Sequence, residues 1–246
     1  WNHRVAITMS GEIVLGHALW QILTHGSTYV PQQVGVYGAS ETGKTTLDMQ
    51  LTTRGEIRPL GEADRTHHGK SWLGRERMPE ATRKRVKSDG LKSRTVISRD
   101  VGGHAEYHGM WLRDMIERKV RTVVVVVDHR HLTDSRNTDN QVALGYLVEA
   151  LSNKTVPKGL SIRARLRAKK YTPTRIILVA NKADQWMEDE DFYIWERGLI
   201  ARHRVFDVFR NTLYQLQGMQ IPVHLDATSA RYGWNVEESI LKGMKI

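Results

Sequence analysis

The sequence predicts a three-layer α/β domain, with a mainly parallel six-stranded sheet covered by helices and one antiparallel edge strand. Three observations predict it. Strand-like runs alternate with segments of helical length and patterning from residue 33 to the C-terminus. Two of those runs, 123–127 (VVVVV) and Arg175–Ala180 (RIILVA), are almost wholly apolar, as strands buried on both faces are. Between 82–87 and 93–100, Ser88-Asp89-Gly90 gives the Asp-Gly signal of a hairpin, which supplies the antiparallel edge.

Each element follows in order. Residues 33–38 (QVGVYG) read as the first strand, followed by a Gly-containing loop and a helix over about 43–52. Residues 53–81 are polar, basic and broken by Gly and Pro, so they read as a long loop. The spacing of Trp111, Leu112, Met115 and Ile116 predicts a helix over about 107–119. After the valine run come a helix at 140–151, a basic insertion at about 154–172 and the strand Arg175–Ala180. One or two helices over 188–217, a strand at 221–225 and a closing helix at 236–244 complete the domain, which covers 31–246.

Residues 1–30 read as an N-terminal helical extension. The apolar stretch 5–23 within it is interrupted by Glu12, His17 and Gln21, whereas a spanning helix needs about 20 predominantly apolar residues. A helix packed on the domain or lying at an interface is the expectation, and an integral membrane protein is not.

Composition narrows the chemistry. The 246 residues are 40% hydrophobic and 26% charged, which is globular and excludes a disordered or collagen-like chain. There is no cysteine, which excludes disulfides, thiolate-bound zinc, iron–sulfur clusters and a cysteine nucleophile. The 37 Lys and Arg exceed the 27 Asp and Glu by ten, and they concentrate at 65–99 and 158–170. Such clusters point to an anionic partner, nucleic acid or an acidic membrane, or else are solvated loops. No aromatic residues interleave with them, so a base-stacking platform is not supported. His129 with His131, and His67 with His68, lack further ligands at metal-binding spacing and read as packed or solvated residues.

The residues that carry chemistry lie at the ends of predicted strands. Gly38-Ala39-Ser40-Glu41-Thr42-Gly43-Lys44-Thr45 matches G-x-x-x-x-G-K-[ST] between a strand and a helix. Backbone N–H groups from Glu41, Thr42 and Gly43 to Thr46 would face phosphates, Lys44 would reach the β- and γ-phosphates, and Thr45 would ligate Mg²⁺. Asp100-Val101-Gly102-Gly103-His104 ends the next strand: Asp100 is a second Mg²⁺ residue, and Gly103 would bring its N–H close to a γ-phosphate. Asn181-Lys182-Ala183-Asp184 directly follows Arg175–Ala180. An Asp carboxylate accepts from the N1–H and N2 amino group of guanine together, which adenine does not offer. Asn181 would fix the loop and meet the base edge, Lys182 would cover the ring, and Ser229 and Ala230 of Thr228-Ser229-Ala230 would supply an N–H for guanine O6.

Four short motifs in this order, GASETGKT, DVGGH, NKAD and TSA, resemble those of P-loop GTPases of the Ras-like and translation-factor class. The resemblance covers about 31–246. DVGG is similar to the ADP-ribosylation-factor-like branch, and Gly103-His104-Ala105-Glu106-Tyr107 to elongation-factor GTPases. It implies a P-loop G domain that binds GTP or GDP with Mg²⁺, and a water-orienting role for His104. It also implies a first-switch Mg²⁺-binding threonine, for which Thr82 is the best-spaced candidate and Thr66 the other. The long 53–81 loop, the basic insertion and the N-terminal segment depart from the family core. The expected function is a GTP-hydrolysing switch with an effector or regulatory partner, cytoplasmic or membrane-associated. The alternative is a nucleotide-dependent binding module that docks an anionic partner without hydrolysis. NKAD disfavours an ATP-using enzyme.

Overall fold

The computed structural model describes residues 31–51, 56–58, 81–88 and 91–245. The expectations placed on 1–30, on Thr66, on most of the 53–81 loop and on the Asp89-Gly90 turn lie outside these residues.

The strands are β1 (Gln32–Tyr37), β2 (Thr82–Ser88), β3 (Leu91–Asp100), β4 (Thr122–Val127), β5 (Arg175–Ala180) and β6 (Val223–Ala227). They form a six-stranded sheet in the order β2-β3-β1-β4-β5-β6. Every neighbouring pair is parallel except β2 with β3, which is antiparallel and at the edge, as the Asp-Gly signal implies. The helices are α1 (Lys44–Gln50), α2 (His108–Arg118), the single turn α3 (Arg130–Thr133), α4 (Asp139–Ser152), α5 (Ile162–Ala168), α6 (Asp189–Glu196), α7 (Arg210–Gly218) and α8 (Val236–Gly243).

The period-two geometry of a strand sorts the valine run into two cores. Val123, Val125 and Val127 face a core with Trp111, Met115 and Ile116 of α2 and Leu144 and Leu147 of α4. Val124 and Val126 face the other core, with Leu47 of α1 and Val236, Ile240 and Leu241 of α8. Ile176 and Leu178 of β5 join the first core, and Ile177 and Val179 the second. All five valines are fully buried, which accounts for a run with no polar alternation.

Residues 188–217, expected as one or two helices, form two, α6 and α7, joined by tight turns at Ile200–Arg202 and Arg204–Phe209; Gly198 at φ 70° ends the first helix. Two segments differ from the sequence expectation. The last strand begins at Val223 rather than 221. Ile221 gives its N–H to Leu216 O, closing the end of α7, and Pro222 has no N–H to give. The basic insertion is not a plain loop: it holds α5, with Ser161 Oγ accepting from Ala164 N at 3.3 Å as its cap.

Parallel strands with their connecting helices bring the carboxyl ends of β1, β3, β4, β5 and β6 to one edge of the sheet. In open α/β sheets ligands bind at that edge.

Candidate functional site

The loop after β1 curls over the start of α1. Lys44 is buried, and its Nζ donates to Ala39 O at 2.6 Å. Thr42 Oγ1 donates to the same carbonyl at 3.1 Å, so one oxygen closes the loop. Burial holds the Lys44 ammonium below its ordinary pKa; Asp100 opposes that shift, while Arg130 reinforces it. A cation disfavoured in this way gains from an anion placed beside it.

Asp100 ends β3 beside β1, where its register partner is Val36. The Thr45 hydroxyl donates to Asp100 Oδ2 at 2.5 Å, so two residues 55 apart in sequence meet through the β1–β3 pairing. Their oxygens are hard donors of the kind Mg²⁺ takes alongside phosphates and water.

Gly103 has no room for a side chain. A Cβ there would lie 2.5 Å from Lys44 Nζ and 2.6 Å from Ala39 O. Its backbone is therefore pressed onto the P-loop. Trp111 of α2 anchors the segment before it, giving Nε1–H to Gly102 O at 2.8 Å. Exposed His104 follows, with Nε2 3.4 Å from Ser40 Oγ at the crest of the P-loop. Thr82 opens β2 opposite Ser98, two residues short of Asp100 along β3, and is exposed.

The base-side loops are tied together by one side chain. Asn181, buried at the end of β5, donates Nδ2–H to Thr42 O at 2.8 Å. Its Oδ1 accepts from Ala230 N at 2.9 Å and from Thr228 Oγ1 at 3.2 Å. Gly43, at φ 88°, lies so close to this amide that a Cβ would collide with Nδ2. The Ser229 hydroxyl donates to Asp184 Oδ1 at 2.5 Å and so orients an exposed carboxylate. Gly43, Thr46, Asn181, Lys182, Asp184 and Ala230, drawn from three separate motifs, line one cleft.

Other parts of the arrangement carry no sequence signal. Asp128, fully buried just beyond β4, accepts from Lys182 Nζ at 3.1 Å, Arg130 Nε at 2.9 Å and Asn140 Nδ2 at 3.0 Å. Arg130 then donates Nη2–H to Ser40 O at 2.8 Å, joining this cluster to the P-loop. Ile57, Arg58, Gln185 and Arg231 also line the cleft. The run of valines could mark Asp128 as the end of a strand, but nothing local marks its partners.

Strand order, one antiparallel edge strand and the motif-bearing loops at the carboxyl ends of the parallel strands define a mainly parallel six-stranded α/β fold flanked by helices. No protein-family model matches the chain, and no curated protein matches it in sequence. Among solved structures, it is similar to the Arl6 (BBS3) small GTPase from Trypanosoma brucei, solved with the nucleotide analogue GppNp. The TM-score is 0.47 at 15% identity, covering 88% of this chain and 96% of that one. It is also similar to a bacterial selenocysteine-specific elongation factor, EF-Sec, at a TM-score of 0.43 and 18% identity. That match covers 87% of this chain but only 29% of the elongation factor.

Proposed function

We propose that the protein is a guanine-nucleotide switch that binds GTP and GDP with Mg²⁺ and hydrolyses GTP. The observation that carries this reading is the single cleft lined by residues of the P-loop, NKAD and TSA motifs, with Asn181 bonded to Thr42, Thr228 and Ala230.

In this reading the N–H groups of residues 41–46 and the Lys44 ammonium hold the phosphates, whose oxygens replace Ala39 O at Nζ. Thr45 and Asp100 fit as the protein ligands of Mg²⁺, and Thr82 is the described candidate for a third. When bound, the ion would supply neutralisation of the phosphate charge. Asp184, oriented by Ser229, pairs with the guanine N1–H and N2 amino group, and the Ala230 and Ser229 backbone faces O6. Gly103 offers its N–H to the γ-phosphate, and His104 orients the attacking water. That role is positional, because phosphoryl transfer leaves little proton chemistry for an early base.

The experiment is a titration of labelled GTP, GDP, ATP and xanthosine triphosphate, with hydrolysis followed on the same samples. Wild type should prefer GTP over ATP by about a hundredfold or more, since adenine leaves the Asp184 carboxylate unpaired. Asp184→Asn should shift preference toward xanthosine triphosphate. His104→Ala should slow hydrolysis about tenfold with GTP affinity unchanged, the scale of one lost transition-state contact. Equal affinity for ATP and GTP in the wild type would refute the reading.

A further inference from the structure

Residues 154–175 contain eight Lys and Arg and no Asp or Glu. Within them α5 is held to the body along one side. Ala164 and Ala168 are buried, Arg167 donates Nη1–H to Ile116 O at 2.9 Å, and just beyond the helix Tyr171 OH donates to Val120 O at 2.8 Å. The opposite side presents Ile162, 80% exposed, and Leu166, 68% exposed.

These two are one turn apart and share a stripe of the helix, at about 100° of rotation per residue. Exposed Arg163 flanks the stripe on one side and exposed Arg165 on the other, with exposed Lys169 continuing it beyond the last turn. No described carboxylate forms an ion pair with any of these three cations. The surface is thus a pair of bulky aliphatic side chains ringed by unneutralised positive charge, on a helix fixed by its own packing.

We infer that α5 is a docking surface for an anionic lipid bilayer, with Ile162 and Leu166 entering the headgroup boundary and the cations meeting acidic headgroups. Both halves of the pattern have work to do there: apolar burial supplies the insertion, and the basic residues respond to the negative surface potential. Nucleic acid uses only one half. Phosphate contacts are made by cations, and bases stack on aromatic rings, whereas the tip of α5 carries aliphatics and Tyr171 is buried. The inference does not rest on the nucleotide reading, since α5 is held at the C-terminal end of α2, by Ile116 O and Val120 O, and none of its residues lines the cleft.

The test is co-sedimentation of the whole chain with vesicles of equal parts phosphatidylcholine and phosphatidylserine, against vesicles of phosphatidylcholine alone. Single-stranded RNA binding is measured in parallel. Two variants are compared, Ile162→Ser with Leu166→Ser, and Arg163→Gln with Arg165→Gln and Lys169→Gln. All five positions are exposed, so melting temperatures should match the wild type. The wild type should bind the acidic vesicles about tenfold more tightly than the neutral ones, and each variant should lose about tenfold. The inference is overturned if the wild type ignores acidic vesicles, or if the aliphatic variant binds them as the wild type does. It is equally overturned if RNA is bound more tightly than vesicles and only the charge variant weakens that binding.

Discussion

Asp128 lies fully buried at the carboxyl end of β4, where its carboxylate meets Asn140, Lys182 and Arg130. Burial alone would raise its pKa. The Asn140 hydrogen bond and the two cations outweigh that and leave it below the ordinary carboxylate value. Arg130 passes the constraint on to Ser40 O, so a single acid positions Lys182 at the cleft and ties Arg130 to the P-loop. Asp128→Ala would remove the counter-charge of Lys182 and leave Arg130 only the more distant carboxylates of Glu41 and Asp139, each 3.9 Å away. Because each keeps some access to water, the expected loss is about 2–3 kcal/mol, below that of a fully buried broken pair. Melting should fall by about 5–10 °C, and nucleotide affinity should weaken with it; an unchanged melting temperature would mean that the cluster contributes nothing. The contrast with Asn181 shows what the sequence exposes. Asn181, Lys182 and Asp184 are legible because their spacing within one loop is itself the signal. Asp128 and Arg130 act on Ser40 and Lys182, residues 54 to 90 positions away in sequence, and only the crossovers of the parallel sheet bring them together.

Helix α2 is fixed at its last turn, and the segment leading into it is exposed. Asp114, with no exposed surface, accepts from Tyr37 OH at 2.6 Å, Arg99 Nη1 at 2.5 Å and Arg118 Nη2 at 2.8 Å. Arg118 also donates to the carbonyls of Val34 and Ile97, which binds the last turn to β1 and β3. By contrast, His104, Ala105 and Glu106 are exposed ahead of the helix. A γ-phosphate at Gly103 would therefore reorganise the approach to α2 and leave its body in place. Amide hydrogen exchange checks this. Protection should differ between GDP and a non-hydrolysable GTP analogue at 102–108, and remain constant at 111–118. Equal changes along both stretches would show that the Asp114 cluster does not hold the helix. The pattern of Trp111, Leu112, Met115 and Ile116 made this helix legible, because apolar periodicity reports the face toward the core. It carried no information about Asp114, a buried acid whose partners come from β1, β3 and its own next turn. The start of β6 lies two residues beyond the sequence expectation for a similar reason: Ile221 is apolar like a strand residue, yet closes a helix.

At the scale of the whole molecule, stability should depend on pH through three histidines, His108 and His131, which are buried, and His129, which is half-buried. Burial holds His108, His129 and His131 below the ordinary histidine value of 6.5, even though His108 is hydrogen-bonded to the Gly103 backbone and His131 Nε2 lies 3.1 Å from Val205 O. Their folded-state pKa values lie below those of the unfolded chain. The stability they contribute is therefore complete above about pH 6.5 and lost as pH falls through the folded values, because the unfolded chain binds protons first. Asp128 and Asp226 are also held below their ordinary value of 3.8, so their contribution disappears only in more acidic solution. For Asp226, burial is outweighed by hydrogen bonds from His224, Trp195, Ala227 and Asn235. Two separate losses should follow, one beginning near pH 6.5 and one below about pH 4. The formal charge of +10 grows as histidines protonate, and self-repulsion acts in the same direction. Melting temperatures measured from about pH 7.5 down to about pH 5 should fall, and His131→Gln should flatten part of that slope while lowering stability at neutral pH. If the wild-type melting temperature is the same at both ends of this range, the three rings take up protons as readily folded as unfolded, and burial does not hold them neutral.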